Sequence, residues 1–124
     1  LTKFGAAHSL HTNTDDFSNF MIALLKEKGL EKDLFNEMLT EQVRLPEDDG
    51  LREDFGFEAW SLGFILASTP YGVKYAHGGM NENFQSYFML VKDKGFGFVF
   101  FTNTDNGLEI LEPLEELLLG GLNK

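Results

Sequence analysis

The sequence predicts an α+β fold, an antiparallel sheet of about four strands with covering helices, and three observations carry that expectation. Apolar residues recur with helical period before residue 45, they alternate with period two from Phe57 onward, and a leucine-rich stretch at the C-terminal end returns to helical period. The order helix, helix, antiparallel strands, helix is that of a layered α+β domain and not of a βαβ unit. Residues 1–124 are read as a single domain.

Residues 1–13, rich in small and polar types, read as a loop or extended lead-in. Thr14, Asp15 and Asp16 supply a capping hydroxyl and two carboxylates for a helix whose apolar stripe is Phe17, Phe20, Met21, Leu24 and Leu25. Lys26 and Lys28 fall in its last turn and Gly29 stops it. A second helix is expected from about Glu31 to Val43, burying Leu34, Phe35, Met38 and Leu39, with Pro46 ending it. Pro46 to Asp54 reads as an acidic, solvated connector. Its carboxylates lack the spacing and glycine of a calcium loop, so no metal is expected.

Trp60, Leu62, Phe64 and Leu66 alternate with Ser61, Gly63, Ile65 and Ala67, which predicts one strand from Phe57 to Ser68. Thr69-Pro70-Tyr71-Gly72 is a turn, and a short strand, Val73 to Ala76, delivers the chain to His77-Gly78-Gly79. Phe84 to Lys92 is a long strand, Asp93-Lys94-Gly95 a tight hairpin, and Phe96 to Thr102 the most apolar strand, expected at the centre of the sheet. Leu108, Leu111, Leu114, Leu117 and Leu118 mark a closing helix that Gly120-Gly121 ends, with Pro113 in its first turns.

A hydrophobic fraction of 43% with 13 phenylalanines is enough for a packed core. A net charge of −10 argues against nucleic acid and anionic membrane surfaces as partners. There is no cysteine, which excludes disulfides and thiolate chemistry. No apolar run reaches the length of a membrane span, and no signal peptide is visible. The first residue is Leu, so the chain is expected to be cut or processed.

Serine catalysis needs a base within hydrogen-bond reach, often a Lys one helical turn on. The residues three after Ser9, Ser18, Ser61, Ser68 and Ser86 are Thr12, Met21, Phe64, Tyr71 and Met89, so no Ser-x-x-Lys exists. No spacing favours a triad built on His8, His11 or His77. His8 and His11 lie in a loop-like stretch without a third metal ligand and read as structural. Gly78-Gly79 opens a strand rather than a helix, so phosphate binding is not expected. Taken alone, the His77 region is the one candidate site. Two adjacent glycines there let a ligand or another backbone approach closely, although a bulge capped by an exposed His77 fits the same residues.

The run His77-Gly78-Gly79-Met80-Asn81-Glu82-Asn83-Phe84-Gln85-Ser86-Tyr87, followed by Lys92 to Asn103, resembles the third motif region of the serine β-lactamase and penicillin-binding-protein superfamily. The branch it is most similar to contains class C β-lactamases, D-Ala-D-Ala carboxypeptidases and esterases. Ala6 to Phe20 is similar to a helix start of that branch, and Phe55 to Phe64, with Trp60 and Gly63, to its glycine-aromatic strand. The resemblance covers nearly the whole chain but only the C-terminal part of the family's catalytic domain.

The resemblance implies a C-terminal fragment of a serine hydrolase that transfers acyl groups from an amide, lactam or ester, without a cofactor. His77 takes the place of the motif's first residue, Gly79 that of its glycine, which clears room for substrate, and the Met80 amide that of an oxyanion donor. Gly78 stands where a hydroxyl residue is more usual, and Asn83 where glycine is common. Tyr71, Tyr75 and Tyr87 are followed two on by Val73, His77 and Met89, so the family's Tyr-x-Asn motif is absent, as is its Ser-x-x-Lys. The chain alone is therefore expected to be inactive, its partner in the intact parent being a small-molecule or peptide acyl substrate. The resemblance points to a periplasmic or extracytoplasmic setting. Exposed sheet surface leaves room for self-association. The alternative is a stand-alone non-catalytic binding or interaction module derived from the same fold.

Overall fold

The computed structural model describes residues 5–121; the first four residues of the predicted lead-in lie outside them. Helices α1 (Thr14–Leu25) and α2 (Lys32–Leu39) come first, then strand β1 (Val43–Arg44) and helix α3 (Gly50–Phe55). Strands β2 (Ala59–Trp60), β3 (Ile65–Thr69), β4 (Gly72–Asn81), β5 (Phe84–Val91) and β6 (Phe96–Thr102) follow, and α4 (Leu111–Gly120) closes the chain. The strands form one antiparallel meander in the order β1-β2-β3-β4-β5-β6, so the fold is α+β as predicted, with six strands instead of about four.

Both additional strands arise where local bonds override a longer predicted element. The second helix stops at Leu39 and not near Val43, because the Thr40 hydroxyl and amide both return to the Asn36 carbonyl at 2.6 and 3.0 Å. The Gln42 and Leu45 amides are then drawn to the carbonyls of Trp60 and Glu58, each at 2.8 Å, which creates β1. The predicted Phe57–Ser68 strand is split by Gly63 at φ +94°, with the Ser61 amide closing on the Phe64 carbonyl at 2.8 Å.

Other boundaries also move. The side chain of Asn13, not the Thr14 hydroxyl, caps α1 by accepting from the Asp16 amide at 2.9 Å. Lys26 and Lys28 lie beyond the end of that helix. Part of the predicted solvated connector is helix α3, started by the Asp49 carboxylate on the Leu51 amide and ended by Gly56 in the left-handed region. Phe35 is buried at 1% exposure while Leu34 is 52% exposed, because α2 presents only a narrow face to the sheet. Strand β4 does not end at Ala76 but runs on through His77, Gly78 and Gly79. Strand β6, expected at the centre, is the outermost strand of the described sheet. Its apolarity reflects helix cover on both faces, with Val99 packed toward α1 and Phe98 and Phe100 on the α4 side.

The sheet separates two apolar layers. On one face Met21, Leu24 and Phe35 of the first two helices meet Phe64, Leu66 and Leu90. On the other, Leu45, Phe57, Ala76, Met89 and Val91 lie beneath Leu108, Leu111 and Leu119. A polar tie crosses this second layer. The Lys74 ammonium, on a residue 7% exposed, bonds both oxygens of Glu115 of α4 at 2.9 and 3.1 Å and lies 4.9 Å above the ring of Phe57. The Tyr87 hydroxyl donates to Glu115 Oε1 at 2.9 Å. With these partners, the buried ammonium and phenol are satisfied and α4 is held in place over the sheet.

Burial first, and then the Glu115 charge and hydrogen bond, push the Tyr87 phenol well above its ordinary range. The folded chain thus holds this proton more tightly than the unfolded chain. The resulting stability is complete below about pH 10 and is lost above it, at up to about 1.4 kcal/mol per pH unit. Denaturant unfolding between about pH 8 and 11 should show this decline, and Tyr87→Phe should flatten it. Tyr75, also raised chiefly by burial, leaves a residual slope.

Candidate active site

The site residues singled out from the sequence all lie on the second half of β4, and sheet register determines what they present. Strand β3 pairs with β4 from Thr69↔Gly72 to Ile65↔Ala76 and no further. Strand β5 continues to pair from His77↔Phe88 to Asn81↔Phe84. Among the described residues, 77–81 of β4 therefore have a strand on one side only.

Alternation then assigns the backbone groups. The Leu66 carbonyl accepts from the Glu58 amide at 2.8 Å, so Leu66 faces β2 and its neighbour Ile65 faces β4. Ile65 pairs with Ala76, whose polar groups face β3. Two and four residues on, Gly78 and Met80 point their amides and carbonyls to the same side, past the end of β3. His77 and Gly79 turn theirs toward β5. The Gly78 carbonyl accepts from His77 Nδ1 at 2.7 Å, which confirms that it lies on the accessible edge and places the imidazole there.

The two glycines differ. A Cβ on Gly78 would make only ordinary contacts, the nearest at 3.7 Å to the Ser86 carbonyl and the Tyr87 ring. A Cβ on Gly79 would stand 2.6 Å from the Ser86 hydroxyl. What the missing side chain at Gly79 clears is thus the cross-strand serine. The Met80 side chain is 70% exposed.

His77 is exposed, and its ring meets Trp60 edge-on with centroids 5.8 Å apart. Trp60 is a neighbour the sequence reading did not connect to the site; the bend at Gly63 is what brings β2 back to this level. Among the described residues no serine hydroxyl bonds His77. Ser61 bonds the Phe64 carbonyl, and Ser68 bonds Glu58. His8 lies in a turn with its ring against Gly5, and no group of three His, Asp or Glu among the described residues could hold a metal ion.

A cavity of about 690 Å³ lies elsewhere, between α3 and α4 over Lys74. Its buried ammonium and phenol are both committed to Glu115, and the other charged groups along it are the carboxylates of Asp54, Glu109, Glu112 and Glu116.

Comparison with known proteins gives this edge a family. The family model described as beta-lactamase matches residues 2–120. No curated protein matches the sequence. A D-stereospecific amidohydrolase from Streptomyces sp. shares the fold at 23% identity and a TM-score of 0.65, over 86% of this chain and 29% of its own. SurE with D-Leu does so at 22% identity and a TM-score of 0.68, over 88% of this chain and 26% of its own. The chain spans less than a third of the length of either. With a family match across nearly its full length and a six-stranded sheet whose partly unpaired strand carries His77-Gly78-Gly79-Met80, the chain belongs to the β-lactamase family.

Proposed function

We propose that this chain is the C-terminal portion of a β-lactamase-like serine hydrolase, supplying one wall of an active site whose nucleophile lies on sequence outside it. The observation that carries this reading is the outward-facing Met80 amide on the unpaired edge of β4, beside His77 and Gly79. An amide aimed into open space at a sheet edge is the kind of donor that stabilises a developing oxyanion, because it needs no reorganisation as charge appears. His77 brings an imidazole to the same edge, where it can bond near the incoming serine and add positive character. Gly78 keeps the strand low at this edge, so that a substrate backbone can lie along it.

The reaction is acyl transfer through an acyl-enzyme. Amide or peptide substrates are favoured over lactams by the two structural neighbours, one a D-stereospecific amidohydrolase and the other solved with D-Leu. The absence of Ser-x-x-Lys and Tyr-x-Asn from the sequence supports inactivity of the chain alone. Among the described residues no helix is long and apolar enough to cross a membrane.

Fluorophosphonate and penicillin probes added to the 124-residue chain should form no covalent adduct, and labelling seen by mass spectrometry contradicts the proposal. Relative to Met80→Ala, which loses the side chain alone, Met80→Pro in the intact parent removes the outward N–H at a strand edge, where proline is tolerated. It should lower kcat by about 10²–10³-fold with the circular dichroism spectrum unchanged.

The outer edge of β6 favours self-association of the isolated chain. Residues 96–102, FGFVFFT, carry no charge and no proline, the devices that usually protect an edge strand. Light scattering should show mass rising with concentration, and Phe101→Lys, at a 39% exposed position of that strand, should hold the chain monomeric. A concentration-independent monomer for the unaltered chain contradicts this.

A further inference from the structure

An apolar cleft of about 300 Å³ begins where the β4 edge turns outward. Its walls are Leu51 and Phe55 of α3, Trp60 of β2, Met80 of β4, Leu108 in the turn before α4, and Leu111 at the start of α4. The two titratable groups along it are His77 at the rim and Tyr87, whose hydroxyl is bound to Glu115. Three of these apolar side chains stand well out of the core: Leu51 at 38%, Phe55 at 56% and Met80 at 70% exposure. Helix α3 is short, yet Asp49 caps it and Gly56 closes it, and both devices fix the angle at which Phe55 overhangs the cleft.

Resting on the acyl-transfer reading above, we infer that this cleft is a specificity pocket for an apolar side chain of the substrate, of leucyl to phenylalanyl size. The same strand supplies the pocket floor, through Gly78 and Gly79, and the outward Met80 amide. A carbonyl held at that amide lies beside the pocket mouth, so a substituent next to that carbonyl can enter the cleft without leaving the strand edge. The volume is at the lower end for small-molecule sites, which fits one side chain and its flanking amide rather than a long peptide. The acidic chain offers no charge inside the cleft to hold a polar substituent. A glycyl or seryl substrate would leave Phe55 and Trp60 wet, whereas a leucyl or benzyl group would dry them.

Trp60 is the sole tryptophan of the sequence, so its fluorescence reports on this cleft alone. The 124-residue chain is titrated with N-acetyl-leucinamide and N-acetyl-phenylalaninamide, each as both enantiomers, and with N-acetyl-glycinamide. The expected result is a saturable change in Trp60 emission for at least one leucyl or phenylalanyl enantiomer, at least about tenfold tighter than for the glycyl amide. Phe55→Glu should weaken that binding by about tenfold or more with circular dichroism unchanged, and Leu51→Gln serves as a second variant. Equal response to all amides, no saturable response to any, or full affinity in both folded variants overturns the inference. The outcome is separable from that of the hydrolase reading. Selective leucyl binding in a chain that itself reacts with fluorophosphonate sinks only the latter. Unselective binding in an unreactive chain sinks only the pocket.

Discussion

Two strands of unequal reach define this molecule. Strand β3 loses its partner at Ile65↔Ala76, while β4 and β5 stay paired to Asn81↔Phe84. Once an antiparallel pair outruns its neighbour, alternation alone decides which amides face the empty side. Gly78 and Met80 face it, and His77 and Gly79 do not. No side-chain packing can reverse that assignment without shifting the register by one residue, which would turn Tyr87 and Met89 out of the core. The chemistry offered at the edge is therefore a consequence of how the sheet is buried.

The rest of the fold holds that strand still. Strand β5 is gripped on its far side by β6, where a Cβ at Gly97 would stand 2.6 Å from both the Leu90 side chain and the Met89 carbonyl. Gln85, buried at 7% exposure, accepts from the Leu108 amide at 2.8 Å and donates to the Asp105 carbonyl, tying the approach to α4 to the end of the same strand. Glu115, bound by Lys74 and Tyr87, does the same from the middle of α4. Both ties are polar groups in an apolar layer, where leaving either partner unpaired is costly and alternative packings are correspondingly disfavoured. A site built on such a strand is more rigid than one built on a loop.

Much of this was legible in the residues, and what was not has identifiable causes. Helix α1 announces itself through Phe17, Phe20, Met21, Leu24 and Leu25, and the α+β order follows from the change of period at Phe57. The turn at Thr69 to Gly72 is equally plain: Gly72 takes φ +120° and the Thr69 hydroxyl donates to its carbonyl at 2.7 Å. The His77 motif was visible because two glycines interrupt an apolar alternation. Misread positions are those where a single bond outweighs propensity. Thr40 closes α2 early, Asp49 starts a helix in what looks like a polar connector, and Gly63 folds one apparent strand into two. The place of β6 was misjudged for another reason. The near-continuous apolar run Phe96 to Phe101 signals burial on both faces, but it does not say whether a strand or open space lies at the edge. Trp60 meets His77 only through the meander, a non-local fact that no short pattern encodes.

The account rests on the Met80 amide being free, and amide hydrogen exchange in a dilute, monomeric sample measures that atom directly. The amides of Gly78 and Met80 should exchange at nearly unprotected rates, while those of Ala76, bonded to β3, and Gly79, facing β5, should be slowed with the rest of the sheet. Slow exchange at Met80, matching that of Gly79, would mean that the edge is covered or the register differs, and the proposed wall of an active site would not exist.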